Sequence, residues 1–261
     1  MTFSLVALLA SLGALGGFAA GLLGVGGGVV MFPLLYYIPP LFGWAPLDAK
    51  TVAAVVSSQV FFSALFGGWA HLRRGQVHHG ITVTAGVASA AGALIGAVAS
   101  KWVSEGFLLV LFGLMTTTAG LAMALPMPYR SGNEASAQNL PVAKLPLAAA
   151  SLSAGVMIGF LGAGNFAFVP LLIYAFKVPT RVAIGSTLVI GLMNGTLGFI
   201  GKLATNQVPL LAASVVVTAA ALSALAGARV HREITTSILR KIYAVLVSLI
   251  ALTVWITAWR S

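Results

Sequence analysis

Eight apolar runs account for most of this chain: 3–38, 51–70, 80–100 and 106–125, then 147–176, 182–201, 209–228 and 242–259. A helix needs about 20 residues to cross the hydrocarbon of a bilayer, and backbone polar groups inside lipid must be satisfied within the helix itself. Only 7% of the residues are charged, against about 25% in a soluble domain, so the chain cannot cover a water-facing surface. It reads as an all-α, multi-pass membrane protein. The first run is too long for a signal peptide and lacks a basic leader, so no cleavage is expected.

Runs 3–38 and 147–176 are too long for one span, and each carries glycines mid-way. The first reads GLLGVGGGVVMFP (21–33), with Gly24, Gly26, Gly27 and Gly28 clustered ahead of Pro33. The second, GFLGAGNFAFVP (159–170), echoes it with Gly162, Gly164 and Asn165 ahead of Pro170. Further matches keep a constant offset of 131: Ser63 with Asn194, Gly67 with Gly198, Gln76-Val77 with Gln207-Val208, Gly96 with Gly227 and Lys101 with Arg232. The chain therefore reads as two copies of one unit, 1–125 and 147–261, joined by a polar linker at 126–146. Each unit has one glycine-broken segment and three spans.

Loop charge bears on how the long runs are threaded. If each is a broken hairpin, one face collects Arg73, Arg74, Arg130, Lys144, Lys177, Arg181, Arg229, Arg232, Arg240 and Lys241, and the other Lys50, Lys101, Lys202 and Arg260, ten against four. If each is a single tilted span, the split is eight against six. Basic residues concentrate in cytoplasmic loops, which favours hairpins and puts 73–74 and 229–241 in the cytoplasm. An odd number of net crossings per unit then turns the second copy upside down, the inverted repeat common among secondary transporters.

Irregular backbone deep in a bilayer is tolerated only where it is buried in protein or lines a cavity, and paired glycine-interrupted segments point to a transport site. The glycines would free backbone N–H groups and a helix start, which carries a partial positive charge suited to an anion. On that reading Gly27 gives the anion close backbone access, and Gly27→Ala would lower flux with normal expression. The competing account is close helix packing through small-xxx-small spacing, preferred for Gly92/Gly96, Gly155/Gly159 and Gly191/Gly195. Nucleotide motifs fail: G-x-G-x-x-G would need glycine where Val29 stands, and Gly201-Lys202 is followed by Leu203 rather than Ser or Thr.

The segments GLLGVGGGVVMFPLL, GFLGAGNFAFVPLLIY and PTRVAIGSTLVIGLMN (179–194) together resemble the sulfite exporter TauE/SafE family of membrane transporters. The resemblance covers nearly the whole chain. It implies a bacterial or archaeal inner-membrane exporter of a small sulfur-containing anion such as sulfite or an organosulfonate. Where the first loop has a third glycine the second has Asn165, which makes that amide a candidate ligand.

Polar residues inside the spans complete the candidate site: Ser57, Ser58 and Gln59 in the first unit, Ser186, Thr187 and Asn194 in the second. Hydroxyls and amides donate hydrogen bonds to sulfonate oxygens without a fixed charge, which allows release; helix–helix hydrogen bonds are the alternative use. Lys50 and Arg181 begin the equivalent span in each unit, as entrance charges or interfacial anchors. His71, His78 and His79 are expected in a solvated loop, and Thr116 to Thr118 to bond their own helix. No cysteine, carboxylate pair or metal-spaced cluster is present, so neither enzyme chemistry nor a cofactor is expected. The net charge of +10 falls in short loops beside lipid rather than in a nucleic-acid patch. Proton or ion coupling is left open: Asp48, Glu105, Glu134 and Glu233 all stand at span ends or in loops, so a proton would ride with the substrate or use Asp48. The expected function is an anion carrier working by alternating access; a passive anion channel and a membrane scaffold subunit are the alternatives.

Overall fold

The structure, a computed structural model, describes residues 2–23, 27–72, 78–124, 143–233, 245 and 248–256. The helices are α1 (Phe3–Leu23), α2 (Gly28–Leu41), α3 (Ala49–Leu72), α4 (His79–Ala99), α5 (Glu105–Ala124) and α6 (Lys144–Leu161). Next come a 3-10 turn (Asn165–Ala167), a single turn α7 (Phe168–Pro170) and a π-helical turn (Leu171–Ala175), then α8 (Thr180–Ala204) and α9 (Leu210–Glu233). Residues 248–256 are again helical, and no strand occurs among the described residues. Phe3–Leu22, α4, α6, Gly185–Ala204 and Leu210–Gly227 are long and apolar enough to cross a membrane. Most of the 126–146 linker lies outside the described residues.

Both over-long runs are broken where the glycines stand. α1 ends at Leu23 and α2 restarts at Gly28; α6 ends at Leu161 and gives way to a patchwork of short turns up to Ala175. Pro170 contributes to this second break, because a proline inside a helix removes one backbone donor and displaces the preceding turn. The π-helical turn directly after it is the kind of irregularity that accompanies such a defect.

Glycine seams assemble the bundle. A Cβ at Gly92 or Gly96 of α4 would fall on the carbonyl oxygens of Leu152 or Val156 in α6, and one at Gly155 or Gly159 on those of Ser89 or Ala93. The backbones of α4 and α6 are therefore in direct contact, and residue numbers rise together along the seam. α1 and α9 form a matching parallel seam, with Gly13 against Val216, Gly17 against Ala220 and Gly227 against Phe18 and Leu22. Small residues allow this approach where lipid supplies no hydrophobic drive between helices. The packing role expected for Gly92, Gly96, Gly155 and Gly159 is thus observed. Gly195 differs, with nothing nearer than 3.7 Å to an added Cβ.

α3 and α8, equivalent under the 131 offset, run antiparallel through the centre: Gly198 faces Ser57 and Gly195 faces Phe61. Phe61 and Phe199 stack with ring centroids 5.1 Å apart. At one end of the bundle Gln207 Nε2 donates to Ala97 O at 2.9 Å and Lys50 Nζ to Lys101 O at 2.9 Å. The start of α3 and the ends of α4 and α8 therefore lie together. Hairpin threading puts Lys50, Lys101 and Lys202 on one face, whereas single spans would put Lys202 opposite the other two.

Candidate functional site

The second break is built by a left-handed turn. Gly162 caps α6 with φ 67 and ψ −2, its N–H donating to Ile158 O at 2.8 Å. Gly164 comes two residues later at φ 143, and Ala167 N–H donates back to Gly164 O at 2.9 Å. The first break has its counterpart in Gly27, at φ 63, the N-cap of α2, with no side-chain cap. Val30 N–H and Met31 N–H both donate to Gly27 O, at 3.1 and 3.0 Å, so the N–H groups ahead of them, at Gly28 and Val29, are the ones that a helix start leaves without an intrahelical partner.

The two breaks meet. A Cβ on Gly28 would lie 2.7 Å from the Ala163 Cβ and 3.2 Å from Val56 Cγ1. A Cβ on Gly162 would fall on the Ala53 carbonyl oxygen and within 2.8 Å of Ser57 N. Residues 53–57 of α3 are thus the wall against which both breaks are pressed, and Val52 to Val56 are fully buried.

α8 supplies the opposite wall and its polar groups. Thr187, Gly191, Asn194 and Gly198 recur at helical spacing and share one face. Gly191 leaves room for Asn165, whose Nδ2 is 2.6 Å from where a Cβ would stand. Asn194 Nδ2 donates to Asn165 Oδ1 at 2.9 Å, so the odd residue of the second glycine loop is gripped by the amide of α8. Asn194 is fully buried and Asn165 nearly so, while Asn194 Oδ1 has no partner among the described residues. Gln59 Nε2 donates to Ser63 Oγ at 3.2 Å. Its Oε1 and Thr187 Oγ1 are likewise buried without a partner among the described residues. Unsatisfied polar atoms in a core are costly, and here they recur on the helices that line the breaks.

Gly28, Ser57, Gly162, Asn165 and Asn194 therefore come together, with Thr187 farther along the same α8 face. Others of the sequence-derived set lie elsewhere. Ser58 Oγ donates to Ala54 O of its own helix at 2.9 Å and lines a separate 510 Å³ cavity with Phe62, Phe199 and Ala213. Ser186 Oγ accepts from His78 N–H at 3.3 Å, tying the start of α8 to that of α4. Lys50 is held at the bundle end by Lys101 O, an anchoring arrangement. Gly24, Gly26 and the Arg181 side chain lie outside the described residues.

Two expectations need correction. His78 is not simply a solvated loop residue: its Nδ1 accepts from Ile81 N–H at 3.1 Å and caps α4. Lys202 is not a loop charge. It is fully buried, its Nζ donating to Ser100 Oγ at 2.8 Å and to Phe160 O at 3.3 Å. It continues the Thr187, Gly191, Asn194, Gly198 face by one more turn, and that spacing was the available signal. Thr116, Thr117 and Thr118 do bond their own helix carbonyls. Among the described residues no group of His, Cys, Asp and Glu is arranged to hold a metal ion.

A family model, Sulfite exporter TauE/SafE, matches residues 9–254. A "Probable membrane transporter protein" of Xylella fastidiosa (strain 9a5c) is 32% identical over 203 residues, covering 77% of this chain and 73% of that protein. Its counterpart in strain Temecula1 matches at the same identity and coverage. The "Probable membrane transporter protein YunE" of Bacillus subtilis (strain 168) is 24% identical over 258 residues, covering 93% of this chain and 94% of that protein. No solved structure matches the chain.

Proposed function

The chain belongs to the sulfite exporter TauE/SafE family, and from that premise we propose that it exports a small sulfur-containing anion, such as sulfite or an organosulfonate, across the inner membrane. The observation that carries this reading is the meeting of the two glycine breaks between α3 and α8 beside the buried Asn165–Asn194 pair. Backbone N–H groups and amides offer donors to sulfo oxygens, and their neutrality lets the cargo leave again. Antiparallel α3 and α8 and the matching parallel seams α1–α9 and α4–α6 are what an inverted repeat requires. Alternating access is then the rocking of one unit against the other around a fixed central site.

The test is flux in proteoliposomes of the purified chain, with sulfite, thiosulfate, sulfoacetate, taurine and sulfate as probes. Saturable flux accelerated by substrate on the far side is expected. Non-saturating conductance would make the protein a channel, and no flux with any probe would leave a scaffold.

Orientation is a separate prediction. With Lys202 buried, the basic residues divide ten against three, which strengthens the positive-inside argument. Lys101→Cys and Asn206→Cys should both react with an impermeant maleimide from outside the cell, and Lys177→Cys and Arg229→Cys only after permeabilisation. The absence of native cysteine leaves the signal unambiguous. Labelling of positions 101 and 206 from opposite sides would eliminate the inverted arrangement.

A further inference from the structure

Lys202 carries an amine into an apolar core with no carboxylate partner among the described residues. Its amine contacts a hydroxyl and a backbone carbonyl, both neutral. The charged groups on the surrounding elements do not neutralise it. Lys50 at the start of α3 donates to Lys101 O at 2.9 Å, and Lys101 stands just past the end of α4. Glu105, at the start of α5, accepts from Ala49 N–H at 2.9 Å. Asp48 accepts from Thr51 N–H at 2.6 Å, capping α3. α6 ends Ile158-Gly159-Phe160-Leu161 beside the lysine and carries no charge there, and the turn after α8 offers only Asn206 and Gln207.

The amine also stands at the second break. Lys202 lies in the last turns of α8, and its amine sits at the closing ends of α4 and α6, on Ser100 Oγ and Phe160 O. Its acceptor Phe160 O is two residues from the left-handed Gly162. Between it and Asn194 lies Gly198, where an added Cβ would be in ordinary contact with Ser57 Oγ at 3.7 Å and Ala93 Cβ at 3.8 Å, so only small side chains cover that face of α8. A neutral amine has two N–H groups, matched by the two acceptors present. An ammonium has three, and a bound anion supplies the missing acceptor together with the missing charge.

We infer that Lys202 is the coupling residue of the transport site: its amine takes up one proton as one anion binds beside it, and proton and anion leave together on the other side. This rests on the reading of the chain as an anion carrier. The only covalent change is formation and later loss of one N–H bond at Nζ. Paired with a monoanion the ammonium forms a neutral unit, so the loaded carrier crosses its central state without a net buried charge. Because each partner favours the other's presence, coupling is reciprocal. A proton gradient drives the anion in the same direction as the protons, so export by this route runs down the anion's own outward gradient and carries protons out with it.

The test uses the full chain in proteoliposomes with thiosulfate and methanesulfonate, which do not titrate near neutral pH, beside sulfite, which does. In the wild type a pH gradient should drive methanesulfonate toward the alkaline side at equilibrium by about tenfold per pH unit for one proton per anion, thiosulfate should follow the same ratio with the membrane potential held at zero, and a trapped pH dye should report co-movement. Lys202→Met and Lys202→Gln, the second of which can still donate to Ser100 and Phe160 O, should lose gradient-driven accumulation in whichever variant retains the wild-type unfolding midpoint. Flux indifferent to the pH gradient in the wild type, or accumulation unchanged in a folded Lys202 variant, overturns the inference while leaving the carrier reading intact. Absence of flux with every probe overturns the carrier reading, and the inference with it.

Discussion

Gly162→Ala is expected to be among the most damaging single-methyl additions in the protein, lowering stability by about 2–5 kcal/mol. Two costs combine. A non-glycine residue held in the left-handed region loses about 1–2 kcal/mol, and Gly162 sits at φ 67. The new methyl would also fall on the Ala53 carbonyl and crowd Ser57 of α3, and overpacking of a filled core adds about 1–3 kcal/mol. Two other glycines separate the terms. Gly43 has φ 79 with nothing within 4 Å of an added Cβ, so Gly43→Ala should show the backbone cost alone, about 1–2 kcal/mol. Gly106, in the first turn of α5, also has open space and ordinary backbone, so Gly106→Ala should be neutral or gain up to about 1 kcal/mol. Unfolding midpoints of the three variants in detergent measure the series. Equal losses at 162 and 43 would mean that the second break does not press against α3.

Gly27 belongs with Gly162 rather than with a purely functional class. At φ 63, and with an added Cβ directed at Ala20 of α1, Gly27→Ala should lose stability along with flux. The sequence-based expectation of normal expression assumed that only the cargo approaches this residue. The turn itself needs the glycine.

Asn165→Asp is the second large effect, and it reads transport rather than folding. The substitution keeps size and the oxygen that accepts from Asn194 Nδ2, so the hydrogen bond survives. It places a carboxylate at a position only 8% exposed, which on the proposed reading faces an anionic cargo. Like charges in a poorly hydrated site repel strongly, and a loss of flux of at least about 100-fold is expected, equivalent to roughly 2.7 kcal/mol. Asn165→Ala removes a donor and leaves Asn194 unpaired. Leaving a buried partner unsatisfied costs about 1–3 kcal/mol, so a loss nearer to tenfold is expected. Flux normalised to folded protein decides the comparison. Wild-type flux in Asn165→Asp would remove the Asn165–Asn194 pair from the path of the cargo.

The features legible in the sequence are those set by short-range physics. Run length and hydropathy mark which stretches suit a bilayer, because each residue's transfer cost is largely its own. The interruptions at 24–28 and 162–165 were visible because glycine declares a backbone requirement wherever it is packed, and positive φ at Gly27, Gly162 and Gly164 bears that out. Helical spacing also put Thr187, Gly191, Asn194, Gly198 and Lys202 on one side of α8. What covers that side is a long-range matter that spacing cannot supply. Only the tertiary structure pressed Gly28 against Ala163, gave Asn165 the space above Gly191 and sent Ser58 and Ser186 to other surroundings. Lys202 makes the distinction plain. From the sequence it is one more basic residue near the end of an apolar run. It is buried because the ends of α4 and α6, remote in sequence, close over the last turn of α8 and offer it Ser100 and Phe160.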